Sequence, residues 1–479
     1  MCSERRSTAS DRDQSMTKPD TIVVSNRGPL SFRFDAEHNL QPLAGGGGLV
    51  SSLRPLLAGA DTDAMWFSMT MGAADEAAVA AGRMLDPALA LRSVTVDPGT
   101  YRMAYDVIAN TTLWYLHHHL FDLPHRPRFD RHWHAAWAGY RAYNRAMADV
   151  VSAEAPDAAA VLVQDYHFSL LGQMLRESRP DLRTVHFCHI PFADPNMLRV
   201  LPDDAARELM AGLAGFGACG FHAEHWAEGF RACFAHAELA GSTIAPPTFV
   251  SSLSPDQEGL LAEAASPECT RSVAQLRAET GGKRIVLRVD RVEPSKNIVR
   301  GMLAFEELLT ARPEWVGAVV HLALVYPSRQ GLADYLALEA EVAHTAERIN
   351  HAWGTPSWTP IVLHVEDDRP RSVAALTISD VLLVNPVRDG LNLVAKEGPL
   401  LNTASGVLVL SREAGAFEEL AGPALGINPF DVSGTAEALH RALRMDPDER
   451  HRRAEHLKSL VRSRTAADWM QDQLTAAAR

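Results

Sequence analysis

The sequence predicts an α/β protein built from two doubly wound parallel sheets that face each other across a cleft. Short apolar runs alternate with helical stretches, which is typical of strands joined by crossover helices. This pattern stops over a polar segment near the middle of the 479 residues and then starts again. Polar and charged residues follow several of the apolar runs. The length allows two domains, each with its own core.

The first half is predicted to form the N-terminal domain, residues 21–278. Its apolar runs predict strands at 21–25, 161–163, 184–188 and 218–221. The stretches between them predict helices at 49–57, 131–152 and 202–216. Residues 1–20 are polar and lack the apolar core of a secretory signal, so we expect them to form a disordered tail.

The second half is predicted to form a separate domain, residues 279–463, after a polar helical stretch that ends at Gly281 and Gly282. Its predicted strands are 284–289, 319–325, 361–365, 381–384 and 407–410. The last helix, within 464–479, carries Trp469 and is expected to cross back to the first domain. In open α/β sheets the ligand lies at the carboxyl ends of the strands, so we expect the site in the cleft.

Composition narrows the class of protein. Hydrophobic residues make up 47% and charged residues 22%, as in soluble globular proteins, and the net charge of -13 argues against general binding to nucleic acid or membrane surfaces. The five cysteines include no C-x-x-C pair, which favours a reducing cytoplasm. No apolar run approaches the ~18 residues of a membrane span. We therefore expect a cytoplasmic protein that binds small molecules; a homodimer is allowed but not specified.

The strongest functional signal lies between 381 and 397. A strand at 381–384 runs into a polar turn and then a helix, which aims backbone N–H groups at whatever lies above the strand. The side chains of Asp389 and Glu397 lie roughly 10–12 Å apart along such a helix, at ~1.5 Å per residue. One acid can reach a sugar and the other a ribose, with a diphosphate between them. An ordinary strand–helix corner is the alternative. The candidate donor-binding residues are Asp389, Gly390, Leu391, Asn392, Leu393 and Glu397.

Two other segments are candidates for holding a diphosphate. Arg291 and Lys296 follow the first strand of the second half. The planar guanidinium of Arg291 and the compact ammonium of Lys296 suit the oxygens of a diphosphate, and both could stabilise a leaving phosphate. The glycine run 45–48 lacks the Lys-Ser/Thr of a P-loop but permits close backbone approach to a phosphate or sugar. A solvated basic loop and a flexible turn are the alternatives.

Four single residues at strand ends are candidates for the acceptor and the donor ring. Arg27 and Arg329 could close on one phosphate from opposite sides of the cleft. Asp165 could accept a proton or hydrogen bonds from an acceptor hydroxyl or amine. His189 could hydrogen-bond the donor ring. Surface arginines and a structural histidine are the alternatives.

The histidine-rich stretch does not predict a metal site. Adjacent residues 117–119 share neither a helix face nor a strand face, and the nearby histidines have no carboxylate at a usual ligand spacing. The histidines concerned are His117, His118, His119, His125, His132 and His134.

Together these motifs resemble the trehalose-6-phosphate synthase family of retaining glycosyltransferases, which have two Rossmann-like domains facing a cleft (the GT-B fold). The resemblance runs from Val23 to about Trp469. Its pieces are, in order, Ser25-Asn26-Arg27, Gly47-Gly48-Leu49, Tyr105 with Trp114, Asp165-Tyr166-His167, His189-Ile190-Pro191-Phe192, Arg291 with Lys296, Ser328-Arg329, and Arg388-Asp389-Gly390 with Glu397.

The resemblance implies a role for each matching residue. Arg27, Tyr105, Trp114 and Arg329 would hold the acceptor phosphate, and Asp165 the acceptor ring. Gly48, Arg291 and Lys296 would contact the diphosphate, His189 and Asp389 the donor ring, and Glu397 the ribose. Asp165, His189, Arg291 and Lys296 would serve catalysis. The family implies metal-independent transfer with no cofactor, since the nucleotide donor is a substrate.

Some positions depart from the family pattern around the two substrate rings. They are Met69, Tyr115, Ala193-Asp194-Pro195-Asn196, Asn297, Asn385 and Gly398. This combination resembles the pseudoglycosyltransferase branch of the family, the validoxylamine A 7'-phosphate synthases of antibiotic biosynthesis. That branch implies C–N coupling of GDP-valienol to validamine 7-phosphate with retained configuration. The alternatives are a trehalose-6-phosphate synthase, using nucleotide glucose and glucose 6-phosphate, and a non-catalytic homologue that binds sugar phosphates. The donor base, GDP or UDP, stays open.

Overall fold

The computed structural model describes residues 20–44, 48–57, 64–86 and 89–479. Residues 1–19 of the predicted tail and residues 45–47 of the glycine run lie outside this part of the chain.

The strands are, in chain order, β1 Thr21–Ser25, β2 Leu30–Phe34, β3 Leu40–Ala44, β4 Ala64–Met69, β5 Ala90–Val94, β6 Ala160–Gln164, β7 Arg183–Cys188, β8 Ala218–Phe221, β9 Thr248–Val250, β10 Arg284–Arg291, β11 Val319–Tyr326, β12 Ile361–Val365, β13 Val381–Val384, β14 Val407–Ser411 and β15 Leu425–Ile427.

The α-helices are α1 Gly48–Leu57, α2 Ala73–Ala80, α3 Pro98–Arg102, α4 Trp114–His117, α5 Arg131–Glu154, α6 Leu171–Ser178, α7 Pro195–Leu198, α8 Asp203–Ala214, α9 Glu224–Ala235, α10 Ala237–Ala240, α11 Gln257–Ala264, α12 Pro267–Glu279, α13 Ile298–Ala311, α14 Ala333–Trp353, α15 Arg369–Ile378, α16 Val394–Leu401, α17 Phe417–Leu420, α18 Val432–Arg444, α19 Pro447–Arg462 and α20 Ala466–Ala477. A π-helix, Met103–Leu113, lies between α3 and α4.

The two large sheets are parallel and doubly wound, as predicted. The first has the order β5-β4-β1-β6-β7-β8-β9 and the second β12-β11-β10-β13-β14-β15. All ladders within them are parallel. A separate antiparallel hairpin joins β2 and β3. The sequence pattern did not indicate β4, β5, β9 or β15, because these strands are short or partly polar.

Successive side chains of β1 and of β6 lie on opposite faces of the first sheet, so each strand contributes to two cores. Ile22 and Val24 belong to the core that packs under the π-helix and α5, while Val23 belongs to the opposite core. That second core also contains Trp469 of α20 and is continuous with the core of the second sheet. The last helix therefore closes the first sheet and joins the two domains through buried apolar contacts.

The segment between the sheets packs on the second domain. Helices α11 and α12 contact α15, and α11 also contacts α16. The predicted boundary after residue 278 falls at the end of α12, so these helices precede it in the chain although their partners belong to the second sheet. Leu260 and Leu276 point into the shared core, which is why the helices lie there. Among the helices of the described ranges, none is long and apolar enough to cross a bilayer.

Candidate active site

The site lies where both sheets reverse their strand order. In the first sheet the reversal falls between β1 and β6, and in the second between β10 and β13. Loops that leave neighbouring strands in opposite directions open a crevice at such points. Arg27 and Asp165 follow β1 and β6, while Arg291 ends β10 and Asp389 follows β13. The topology therefore brings four of the predicted site residues to one cleft.

Contacts across the cleft fix the two domains against each other. The indole N–H of Trp226 donates to the carbonyl of Gly390 at 2.9 Å. Arg388 donates to the carbonyl of Phe192 at 2.9 Å, and its guanidinium lies 4.5 Å from the Trp226 ring centroid. These bonds hold the backbone that precedes Asp389 and Gly390 against the first domain.

The predicted donor residues Lys296 and Asp389 form a buried ion pair, with Nζ 2.6 Å from Oδ2. Asn392 donates to the same oxygen at 3.1 Å. Burial raises the pKa of Asp389, but the Lys296 ammonium more than offsets this, so that pKa ends below its usual value. Both groups are therefore charged at neutral pH. Their ion pair joins the loop after β10 to the turn after β13.

The turn after β13 is longer than the sequence predicted. Asp389 pairs with Ala414 as an isolated parallel bridge, and α16 begins only at Val394. The carbonyl of Leu391 accepts from the N–H of Ala416 at 2.9 Å. The side chain of Asn392, at φ 74°, accepts from the N–H of Ala395 and so begins the helix. The predicted helix start near Asp389 was wrong because this bridge keeps the chain extended.

Glu397, the predicted ribose contact, lines a cavity of about 220 Å³. Burial raises the pKa of its carboxyl, and Arg369, 3.8 Å away, opposes the shift. Leu393 lines the same cavity. The remaining lining residues are Pro255, Asp256, Gly259, Leu260, Glu263 and Arg369. Gly48 begins α1; since 45–47 lie outside the described ranges, its diphosphate contact stays a prediction.

A carboxylate that sequence reasoning missed lies between the two groups of predicted cations. Glu293 is 2% exposed, accepts from Ser328 Oγ at 3.1 Å and pairs with Arg291 at 3.3 Å. Burial would raise its pKa, but Arg291, Arg329 and Lys296 hold the pKa at about 2. One fixed negative charge thus faces cations from both the predicted donor side and the predicted acceptor side.

Arg329, the predicted acceptor anchor, reaches from the second domain into the first. It has φ 44°, and its guanidinium lies 5.1 Å from the Trp114 ring centroid. It donates to the hydroxyl of Tyr166 at 3.3 Å and to that of Tyr335. Burial lowers its pKa, but Tyr166 and Glu293 raise it further, so Arg329 stays charged. Tyr335 lies on α14 and was not among the predicted residues.

Arg27 occupies the other side of this cradle. Its guanidinium donates to the hydroxyl of Tyr105 at 3.2 Å. The Tyr105 ring stacks on His167, with centroids 5.7 Å apart. The four predicted acceptor residues Arg27, Tyr105, Trp114 and Arg329 are therefore brought together.

The π-helix explains how Tyr105 and Trp114, nine residues apart, serve the same cradle. In an α-helix of 3.6 residues per turn, nine residues make about two and a half turns and face opposite sides. The i→i+5 bonds of a π-helix hold between four and five residues per turn, so nine make roughly two turns. The hydroxyls of Thr111 and Thr112 donate to the carbonyls five residues earlier, at 2.7 and 2.9 Å.

Asp165 lies at the turn after β6 with φ 72°. Its carboxylate accepts from the backbone N–H of His189 at 3.2 Å. Burial raises the pKa of Asp165 to about 7. This carboxyl can therefore carry a proton near neutrality, as a group that exchanges hydrogen bonds with an acceptor requires.

The ring of His189 is engaged within the protein. Its Nδ1 lies 3.1 Å from His222 Nε2, and its Nε2 lies 2.9 Å from Gln164 Oε1. Both ring nitrogens therefore have partners within the protein, and a hydrogen bond to the donor ring stays a prediction for His189. Its backbone carbonyl instead abuts Gly390, where an added Cβ would lie only 1.9 Å from the carbonyl oxygen.

The histidine run points in three directions. His117 Nδ1 accepts from the N–H of Ala193 at 3.0 Å, and His118 Nδ1 lies 2.7 Å from the carbonyl of Trp114. His119 lies against Arg388. Within 20–44, 48–57, 64–86 and 89–479 there is no group of three His, Cys, Asp or Glu residues placed to hold a metal ion.

Two departures from the family pattern form one structural unit. Asn297, at φ 60°, donates to the carbonyl of Asn385 at 2.9 Å, and Asn385 donates to the carbonyl of Asn297 at 3.3 Å. Asparagine tolerates the left-handed region better than other residues with a side chain, so it can replace glycine there. These two asparagines therefore hold the loop after β10 against the end of β13.

Two further departures also have local causes. Asp194 caps α7 by accepting from the N–H of Met197 at 3.0 Å, as Ser or Thr would. At Gly398 an added Cβ would lie 2.3 Å from Cδ2 of Leu382, so a larger side chain there requires that leucine to move. Changed residues around the rings are thus weaker evidence for changed substrates than the sequence indicated.

Comparisons with known proteins agree with this fold. The family model described as glycosyltransferase family 20 matches residues 19–479. An Aspergillus niger α,α-trehalose-phosphate synthase (UDP-forming) is 30% identical over 469 residues, covering 94% of each chain. A bifunctional trehalose-6-phosphate synthase/phosphatase of Thermoproteus tenax is 31% identical; the match covers 94% of this chain but only 62% of that protein.

A solved structure of a Burkholderia vietnamiensis α,α-trehalose-phosphate synthase superposes with a TM-score of 0.82 at 28% identity, covering 96% of this chain and 99% of the other. The predicted GT-B fold is confirmed. The names of these relatives favour the sugar-transferring alternative over the predicted C–N coupling.

Proposed function

Because the chain belongs to glycosyltransferase family 20 and is a transferase with the GT-B fold, we propose that it is a trehalose-6-phosphate synthase. It would transfer glucose from a nucleotide donor to glucose 6-phosphate with retained configuration and release the nucleoside diphosphate. The activities named for the Aspergillus and Burkholderia relatives support this proposal.

The observation that carries the proposal is the presence of two cation pairs, one on each side of Glu293. Arg291 and Lys296 lie on one side and would hold the donor diphosphate; Arg329, with Arg27 near it, lies on the other and would hold the acceptor phosphate. Glu293 pairs directly with Arg291, and Lys296 and Arg329 also keep the pKa of Glu293 low. A reaction between a nucleoside diphosphate sugar and a sugar monophosphate needs these two anion sites at this proximity.

The reaction depends on stabilising the leaving diphosphate. It does not require a nucleophilic side chain of the protein. As the bond from the anomeric carbon to the diphosphate oxygen breaks, Arg291 and Lys296 receive the developing charge. The acceptor oxygen bonds to the same face of that carbon, and its proton passes to the departing phosphate. Asp389 is held by Lys296 at 2.6 Å, and Glu293 by Arg291 at 3.3 Å. Neither is free to act as the nucleophile of a retaining glycosidase.

The cavity beyond Glu397 would hold the nucleobase of the donor. Arg369 is the cationic residue in its lining and forms bonds of 3.2 Å to both oxygens of Glu263. An arginine held in this way presents its remaining N–H donors to a base carbonyl. Comparing the binding of UDP, GDP and ADP to wild-type protein and to Arg369→Ala identifies the base and tests this placement.

The proposal is tested with purified protein and two substrate pairs, without added metal, with products identified by mass spectrometry. Nucleotide glucose, in UDP and GDP forms, with glucose 6-phosphate should give trehalose 6-phosphate. Arg291→Ala should abolish the product, whereas Arg277→Ala, on α12 outside the cation groups, should not. Product formation unchanged in Arg291→Ala would remove this residue from the mechanism.

The pseudoglycosyltransferase function predicted from the sequence is the second candidate. The contact made by Tyr115 favours it. This residue replaces the family's proline beside Trp114, and its hydroxyl lies 3.4 Å from Asp334, which also pairs with Arg126 at 2.6 Å. The acceptor side thus has a contact between domains that the family pattern does not provide. GDP-valienol with validamine 7-phosphate would then give a pseudodisaccharide phosphate. No product from either pair would favour the non-catalytic homologue.

The oligomeric state, for which a homodimer is allowed, stays open, and the cytoplasmic location stays a prediction. Size-exclusion chromatography with light scattering tests the first, and cell fractionation tests the second.

A further inference from the structure

A continuous chain of buried hydrogen bonds runs from the interdomain segment through His189 to the C-terminal helix. The N–H of Leu253 lies 3.4 Å from His222 Nδ1, and His222 Nε2 lies 3.1 Å from His189 Nδ1. His189 Nε2 lies 2.9 Å from Gln164 Oε1, and Gln164 Nε2 lies 3.0 Å from Gln473 Oε1. Gln473 is on α20, 309 residues after Gln164.

The first bond determines the direction of all the others. A backbone N–H can only donate, so Nδ1 of His222 accepts and its proton lies on Nε2. That proton is donated to Nδ1 of His189, whose own proton therefore lies on Nε2 and is donated to Gln164 Oε1. The amide of Gln164 then donates through Nε2 to Gln473 and to the carbonyl of Leu162 at 3.2 Å.

Both imidazoles in the chain are neutral. Burial lowers the pKa of His189 to about 3, and burial with the neighbouring His189 and Lys396 lowers that of His222 well below its usual value. A proton added to either ring would place a donor against a donor. The chain therefore specifies a single tautomer of His189.

The backbone of His189 lies between the two substrate sides. Its N–H donates to Asp165 at 3.2 Å, and its carbonyl abuts Gly390, next to Asp389. The ring of Trp469, also on α20, lies 5.7 Å from the His189 ring. The ring and this peptide share the Cα of His189, so the bonds that hold the ring also restrain the peptide.

Simple packing does not account for Gln473. Its side chain is fully buried, and its Nε2 has no hydrogen-bond partner among the residues that the structure describes. An unpaired buried donor is destabilising, so an apolar residue of similar length would give a more stable helix contact. The polar side chain is best explained by the bond that it accepts from Gln164.

We propose that α20 is a positioning element of the active site. Through Gln473 and Gln164 it holds the Nε2 side of the His189 ring, and so the ring plane and the peptide between Asp165 and the Asp389 loop. The effect on turnover rests on the proposed transferase function; the effect on the ring does not.

The test compares Gln473→Met with Met470→Leu, a matched apolar change on the same helix, where Met470 is also buried. Gln473→Met should keep or raise Tm and lower kcat roughly tenfold with little change in the donor KM, since a misplacement of ~1 Å costs up to ~100-fold. Met470→Leu should leave kcat unchanged. In Gln164→Leu the loss should be as large or larger, and adding Gln473→Met should not increase it further.

The tautomer is read independently of turnover by NMR of protein labelled with ¹⁵N-histidine. Wild type should show His189 protonated on Nε2 alone, with a proton that exchanges slowly with solvent, and in Gln473→Met this Nε2–H signal should shift and exchange faster. A wild-type ring protonated on Nδ1 would overturn the proposal. So would an unchanged Nε2–H signal and an unchanged kcat in Gln473→Met. Protein that lacks transferase activity but shows the expected change in the Nε2–H signal would contradict the proposed function and not this arrangement.

Discussion

The buried carboxyl of Asp165 makes the stability of the protein depend on pH in a direction opposite to that of most aspartates. Burial raises its pKa from 3.8 to about 7. Asp165→Asn replaces the carboxyl with a neutral group of the same shape that can still accept from the N–H of His189. Asparagine also tolerates the positive φ of this position.

The size of the effect follows from linkage between protonation and folding. Between pH 4 and 7 the folded protein keeps a proton that the unfolded chain has lost, so the wild type loses stability as pH rises through this range and the loss is complete above about 7. A shift of about three pH units corresponds to ~4 kcal/mol, and because Asp165 is partly open to the cleft, solvent screening reduces this to about 2–4 kcal/mol. The stability of the asparagine variant relative to wild type should therefore increase by this amount between pH 4.5 and 8.5.

The measurement is urea unfolding of both proteins across this pH range, together with transferase activity. Asp97→Asn provides a control of opposite sign, because the hydrogen bonds from Thr100 lower the pKa of Asp97 and stabilise its charged form. This control is also followed below pH 4.5, where its stability relative to wild type should fall as pH rises towards about 4 and then stay constant. We also expect Asp165→Asn to lose turnover while still binding the donor. A stability difference for Asp165→Asn that does not change with pH would refute the reasoning.

Three further predictions follow from the site. Glu293→Gln should bind inorganic phosphate more tightly by calorimetry yet turn over more slowly, because its carboxylate competes with phosphate for Arg291 and Arg329; unchanged phosphate affinity would contradict this. Arg329→Lys should raise the KM for the phosphorylated acceptor at least tenfold with little effect on the donor, since lysine cannot form the planar fork, and an equal rise in both KM values would argue against an acceptor role. Asn297→Gly and Asn385→Thr should be non-additive in unfolding free energy by about 0.5–3 kcal/mol, whereas strict additivity would mean that the two side chains do not support each other.

Much of the fold could be predicted because its signals are local. The apolar runs of β1, β6, β10 and β13 and the charged residues after them are visible in the sequence. Since the carboxyl ends of parallel strands meet at one sheet edge, the strand assignment places Lys296 and Asp389 at the same edge. Their pairing was not predicted, because it depends on β13 lying next to β10.

The rest could not be predicted because it depends on geometry that the sequence does not display. The spacing of Tyr105 and Trp114 places them on opposite faces of an α-helix, and only the π-helix brings them together. Glu293 lies in a basic segment and looks solvated until β11 brings Ser328 and Arg329 over it. The partner of Gln164 is 309 residues away, beyond the reach of any local pattern.

The most direct test of the central claim is the anomeric configuration of the product. Nucleotide α-glucose and glucose 6-phosphate are incubated with the wild-type protein, and the purified product is examined by proton NMR. Transfer from the face that the diphosphate leaves predicts an α,α-1,1 linkage. A β linkage at the transferred glucose, or free glucose as the sole product, would contradict the account.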